Sequence, residues 1–181
     1  LELVTGLVEK PYALLGSFEP AFLQVPPEIL ICAMRDHQKY FHLIDEQGQL
    51  LPKFIAISNI RSKQPVRVRQ GNERVLQARL SDARFFWDED RKRTLESRIA
   101  DLESVTFQHK LGSLSDKTVR LVELAGNLAR LLGENTDNCQ RAAQLCKADL
   151  VTDMVGEFPD LQGVMGRYYA IHDREKKAVG R

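Results

Sequence analysis

The chain has 181 residues, 43% of them hydrophobic and 28% charged, with a formal net charge of +1; that is the make-up of an ordinary globular protein with room for one good core or two small ones. No apolar run approaches the ~20 residues of a membrane span, and no basic stretch leads into an apolar one as in a signal peptide. The balanced charge excludes a broadly basic nucleic-acid binder and leaves such binding to local patches. Cys32, Cys139 and Cys146 are an odd number, which argues against a disulfide framework and for buried, reduced thiols in a cytoplasmic protein.

The chain opens in mid-pattern with Leu1-Glu2-Leu3-Val4 and closes on a charged run, Arg174-Glu175-Lys176-Lys177; it reads as an internal part of something longer. Tyr12-Ala13-Leu14-Leu15 after Pro11 predicts a strand. Pro26-Pro27 starts a helix, since proline suits the first turn, and Ile29, Leu30, Ala33 and Met34 continue at helical spacing. Lys39-Tyr40-Phe41-His42-Leu43-Ile44 predicts one arm of a hairpin. Asp45 to Gln49 supplies the turn, and Phe54-Ile55-Ala56-Ile57-Ser58 the return arm, apolar enough for a buried strand.

Pro65 to Arg93 predicts a long helix. Leu76, Leu80, Ala83 and Trp87 make its core stripe, while Arg67, Arg74 and Phe85 project from roughly the opposite side. Gly71 weakens this helix by about 1 kcal/mol. From Thr94 onward the pattern is wholly helical: Leu95 to Val105, then a break at Leu111-Gly112-Ser113. A helix over about 115–132 follows, opened by a capping-box-like Ser113/Asp116 pair and closed by Gly133. Further helices are predicted over about 138–157 and 161–171. The expected fold class is α+β: a mixed α/β domain with a small sheet over 1–95, then an all-α helical domain over 96–181.

Four stretches have the residue types for chemistry. Gln38-Lys39-Tyr40-Phe41 sets a lysine beside two aromatics, a pattern that stacks on RNA or simply makes a half-buried strand with a snorkelling lysine. On the long helix, Arg74, Arg79 and Arg84 offer planar forks for phosphate, but Glu73, Asp82 and Asp88 are interleaved for intrahelical pairing. His109 and the later Lys147-Ala148-Asp149 suggest a metal-dependent HD phosphohydrolase, in which imidazoles and carboxylates converge on a divalent ion. Ala148 stands where the second histidine is needed and offers no ligand atom. His172-Asp173 has no evident partner. Asp149, Asp153 and Glu157, at i, i+4 and i+8, line one helix face as hard-metal ligands or as a solvated row. Gly163-x-x-Gly166 permits close helix packing. No P-loop, Rossmann fingerprint or nucleophile elbow is present.

Several long strings, in order and covering nearly the whole chain, resemble the β subunit of the bacterial two-subunit glycyl-tRNA synthetase. They are Gln38-Lys39-Tyr40-Phe41; Gly71-Asn72-Glu73-Arg74 continuing to Phe86; Lys110-Leu111-Gly112-Ser113-Leu114-Ser115-Asp116-Lys117; Lys147-Ala148-Asp149 continuing to Phe158; and Gln162-Gly163-Val164-Met165-Gly166-Arg167-Tyr168-Tyr169-Ala170. The resemblance implies an α2β2 glycine–tRNA ligase whose α subunit, a class II synthetase, activates glycine with ATP and Mg, and whose β subunit is needed for tRNA-Gly. It further implies that the helical domain is HD-like and truncated at Arg181. No catalytic residue, metal ligand or cofactor is expected within the chain, and no membrane partner. Charge and placement, rather than the resemblance, nominate Lys39, Arg74, Arg79, Arg84, Lys110 and Lys117 as tRNA-binding. The alternatives are a structural module that docks the α subunit and an active HD-type hydrolase.

Overall fold

In the computed structural model, which describes residues 2–180 and side chains from Val4 on, the chain is a mixed α+β protein that divides into two compact units, 1–85 and 86–181. Leu1 and Arg181, the residues that frame the mid-pattern opening and the expected truncation, lie outside the described residues.

The first unit begins with a short helix, α1 (Glu2–Leu7), and strand β1 (Tyr12–Ser17). A 3-10 turn over Pro20–Gln24 leads to α2 (Pro27–Cys32), which continues into a π-helical turn over Ala33–His37. Strands β2 (Phe41–Ile44) and β3 (Leu50–Ser58) form the expected hairpin. The sheet is antiparallel in the order β1-β3-β2. One close approach fixes its packing. Gly16 pairs with Phe54, and a Cβ there would collide with the Phe54 ring. The far end of the ring therefore lies against Gly16, and Tyr40 stacks on the ring at 4.8 Å between centroids and 16° between planes. Phe54, Ile29, Leu30, Met34, Leu76 and Leu80 fill the core beneath.

Helix α3 (Pro65–Asp90) supplies the Leu76, Leu80 and Ala83 stripe as its periodicity predicts. Arg67, Arg74 and Phe85 are exposed on the opposite side. Glu73, read from sequence as an intrahelical pairing partner, is bonded mainly elsewhere. Its carboxylate accepts hydrogen bonds from the Ser17 backbone N–H (3.0 Å) and hydroxyl (3.2 Å), tying α3 to the edge of β1.

The second unit departs from an all-α reading. After α4 (Leu95–Arg98) and a 3-10 turn over Ala100–Ser104, two very short strands, β4 (Thr106–Gln108) and β5 (Gly112–Ser113), pair antiparallel. The single segment expected over 95–105 is thus a helical turn and a 3-10 turn. Helix α5 (Leu114–Leu132) starts with a complete capping box between Ser113 and Asp116 and stops at left-handed Gly133, both as predicted. The helix expected over 138–157 is broken. It becomes α6 (Thr136–Leu145), a 3-10 turn over Ala148–Val151 and α7 (Asp153–Glu157), before α8 (Val164–His172). After the 3-10 turn, Thr152 is extended and caps α7 with its hydroxyl, accepting from the Val155 N–H at 3.3 Å.

Short helices leave their first N–H groups without intrahelical acceptors. Asp90, 2% exposed, supplies acceptors for α7. Its carboxylate accepts from the Asp153 and Met154 backbone N–H groups at 3.0 and 2.9 Å, from the Tyr169 hydroxyl at 2.9 Å, and from Arg98 at 3.1 Å. Arg98 also donates to the carbonyls of Asp90 and Val151. Burial, followed by the Asp90 charge, pushes the Tyr169 phenol upward and keeps it a donor. Replacing Asp90 by Ala strands a buried guanidinium, a phenol and two helix N–H groups. Loss of one partner of a buried ion pair costs roughly 3–5 kcal/mol. The expected outcome of Asp90→Ala, read by urea denaturation, is a loss in that range; a loss below about 1 kcal/mol would contradict this role.

Candidate nucleic-acid interface

The six cations nominated from sequence fall on three parts of the chain, the turn before β2 and helix α3 in unit 1 and the β4–β5 hairpin with the start of α5 in unit 2. Lys39 lies in unit 1 between the π-helical turn and β2. It has a left-handed backbone (φ 58°), where a strand residue was expected, and its Nζ donates to the Asp36 carbonyl at 2.5 Å. Arg74, Arg79 and Arg84 occupy α3 but not one face. Successive members are five residues apart and so sit about 140° around the helix from each other. Arg74 and Arg84 are exposed, and Arg79 is half-buried. The face opposite the core instead combines Arg74 with Arg67 and Phe85, the last 57% exposed.

Lys110 and Lys117 do come together with the β4–β5 hairpin of unit 2. Lys110 is exposed at the tip, its backbone N–H bonded to the Gln108 side chain at 2.7 Å. The Lys117 ammonium lies 3.7 Å from the centroid of the Phe107 ring. Arg120, not singled out from sequence, joins them by donating to the Leu111 carbonyl at 3.0 Å. Its spacing of three from Lys117 on a helix is the signal that points to it. A cation held over an aromatic face, beside the exposed Leu111, suits both phosphate contact and base stacking.

Of the carboxylates considered as metal ligands, Asp153 and Glu157 are exposed and Asp149 is engaged elsewhere. Asp149 does not share a helix face with Asp153 and Glu157. It is fully buried in a 3-10 turn, and its Oδ2 accepts from the Gly163 and Gly166 N–H groups at 2.5 and 3.0 Å. These lie at the start of α8, so Asp149 caps that helix from across α7 and the 3-10 turn Pro159–Leu161. The Gly163-x-x-Gly166 glycines serve this approach rather than helix–helix contact. Gly163 has φ 80°, and a Cβ on Gly166 would lie 3.2 Å from the Asp149 carboxylate. Ala148 is fully buried and His109 exposed. His172 and Asp173 bond to each other at 3.2 Å, while Asp173 also accepts from the Leu95 N–H at 2.7 Å, capping α4. The thiols differ from the buried set expected: Cys32 is buried, Cys139 half-buried and Cys146 exposed.

The model of the family described as glycyl-tRNA synthetase beta subunit matches residues 1–181, and the chain belongs to that family. It is 57% identical over 180 residues to the glycine–tRNA ligase beta subunit of Citrifermentans bemidjiense. It is 54% identical over 179 residues to that of Chromohalobacter salexigens and 52% over 179 to that of Psychromonas ingrahamii. Each match covers 99% of this chain and 26% of the relative, so the chain spans about a quarter of the length of these relatives. No helix among the described residues is long and apolar enough to cross a membrane.

Asp149 Oδ1 is buried with no hydrogen-bond partner among the described residues. Burial raises the Asp149 pKa above its ordinary 3.8, against the lowering by the Gly163 and Gly166 N–H groups. A raised folded-state pKa means the folded protein holds the proton more tightly. That contribution is complete below pH 3.8 and is lost as pH rises through the folded value. An amide stays neutral at every pH and keeps an oxygen for the two N–H groups. Asp149→Asn is therefore expected to gain stability relative to the native chain between pH 4 and pH 7, measured by paired denaturant melts. A gap that is flat with pH, or that moves the other way, would contradict the raised pKa.

Proposed function

We propose that this chain is a tRNA-handling segment of the β subunit of a glycine–tRNA ligase, supporting the attachment of glycine to tRNA-Gly with ATP in the cytoplasm. In this reading the chemistry belongs to an α subunit, in an α2β2 assembly that uses ATP and Mg, and the present chain supplies surface. Its second unit is then an HD-like helical scaffold without the hydrolase chemistry, in keeping with Ala148 and with the capping role of Asp149. The observation that carries the proposal is the Lys117 ammonium held over the exposed Phe107 ring, with Lys110 and Arg120 at the same hairpin and helix start. Phosphate contacts of this kind position RNA without reading its sequence.

Binding of the chain to tRNA-Gly over a salt series tests it. Each phosphate-contacting cation contributes about one unit to the slope of log affinity against log salt. Arg74→Glu and Lys117→Glu are each expected to weaken binding and to flatten the slope by about one. Salt-independent binding, or no binding by the folded chain at low salt, would remove tRNA contact from this segment.

The α5 helix favours a second role alongside the first. Leu124, Leu128, Leu131 and Leu132 form one side of it, and the last two are 82% and 75% exposed. The opposite side, with Thr118, Gly126 and Ala129, is buried. An uncovered leucine face of this kind marks a docking site, here for the α subunit. Leu131→Lys with Leu132→Lys is expected to abolish co-elution with the α subunit while leaving the thermal midpoint within a few degrees. Retained co-elution would assign the face elsewhere.

A further inference from the structure

Unit 1 contains a cavity of about 340 Å3 beside the π-helical turn, lined chiefly by Arg35, Asp36, Lys39, Tyr40, Phe41 and His42. Its size is at the lower end of small-molecule sites, ~300–1,000 Å3. Two backbone features build it, and each costs energy. The π turn over Ala33–His37 is a rare helix form, frequent at functional sites. Lys39 follows it in the left-handed region, disfavoured for a lysine. Together they bring Arg35 and Asp36, at the end of a helix, against the first residues of β2.

The walls are complementary to a nucleotide. Tyr40 is held rigidly, with one ring face stacked on Phe54, which in turn lies against Gly16. Burial raises its pKa, so the phenol stays protonated as a donor. Phe41 adds a second half-buried aromatic. Asp36 is matched by Arg35 through two bonds of 2.8 and 2.9 Å, and Arg35 holds its carboxyl below the ordinary range. The Lys39 ammonium donates to a neutral carbonyl, and the lining of Arg35, Asp36 and Lys39 has an excess of one positive charge. A single phosphodiester carries one negative charge, and a base displaced from its stack needs an aromatic face.

We infer that this cavity binds one unstacked nucleotide of single-stranded RNA, its base against Tyr40 and Phe41 and its phosphate at Lys39 and His42. The inference rests on the tRNA-contact reading above and narrows it to an unpaired position of the RNA. A duplex keeps its bases stacked and cannot enter.

The test uses the full 181-residue chain with an unstructured uridine hexamer, and a blunt RNA duplex for comparison, both followed by amide shifts and titration. The hexamer is expected to shift the amides of Lys39 to His42, and the duplex to leave them in place. Phe41→Ala is expected to weaken hexamer binding roughly tenfold. Lys39→Gln, at an exposed position that spares the core, should flatten the salt slope by about one. Absence of shifts at Lys39 to His42, equal shifts with the duplex, or unchanged hexamer affinity in Lys39→Gln and a folded Phe41→Ala would overturn the site. Failure of the pocket alone leaves tRNA-Gly binding and its sensitivity to Arg74→Glu intact. Failure of the wider reading removes tRNA-Gly binding itself.

Discussion

Buried helix starts constrain the second unit more than any other feature. A unit assembled from short helices exposes many N–H groups at their first turns, and an unpaired donor away from water is costly. Three aspartates distant in sequence answer this. Asp90 serves α7, Asp149 serves α8 and Asp173 serves α4. Each carboxylate lies where the helix dipole favours negative charge. Asp90 is also matched by Arg98 and Tyr169, so its burial leaves no lone charge. The Asp149 carboxylate accepts backbone N–H groups, with no ion pair among the described residues, and burial raises its pKa. Two carboxylates in the same structural role thus differ in what balances them.

The first unit is organised by ring packing. Gly16 lets Phe54 lie against the sheet, and Phe54 carries Tyr40 to the edge of the cavity. The π turn and the left-handed Lys39 are local conflicts with regular structure in a well-packed region. Such conflicts concentrate where a site needs a shape that regular elements do not give. The link from sequence to site runs through a glycine 24 residues upstream of the tyrosine that it positions.

Family membership and geometry bear on different questions. Similarity over 99% of the chain places it within the glycyl-tRNA synthetase beta subunit family, although the chain spans about a quarter of its relatives' length. The geometry concerns what this quarter presents to other molecules: a cation over an exposed ring, an exposed leucine face and an aromatic cavity. A basic surface and an apolar face on one chain are compatible, since RNA and a protein partner need different chemistry.

Sequence by itself determined the features with short-range causes. The Pro26-Pro27 helix start, the hairpin, the Leu76-Leu80-Ala83 stripe, the Ser113/Asp116 capping box and the Gly133 stop all follow from periodicity or from contacts within a few residues. Ordered strings also carried the family. Tertiary structure alone decided where the helical pattern over 138–157 breaks, because the acceptors that stabilise the broken form include Asp90, more than sixty residues away. It also turned Asp149 from an apparent member of an acidic row into the cap of α8, Gly166 into the space for its carboxylate, and Gly163 into the positive-φ residue that offers it an N–H. Side-chain spacing along one helix specifies a face only while that helix continues. Once it breaks, long-range hydrogen bonding decides where each residue points.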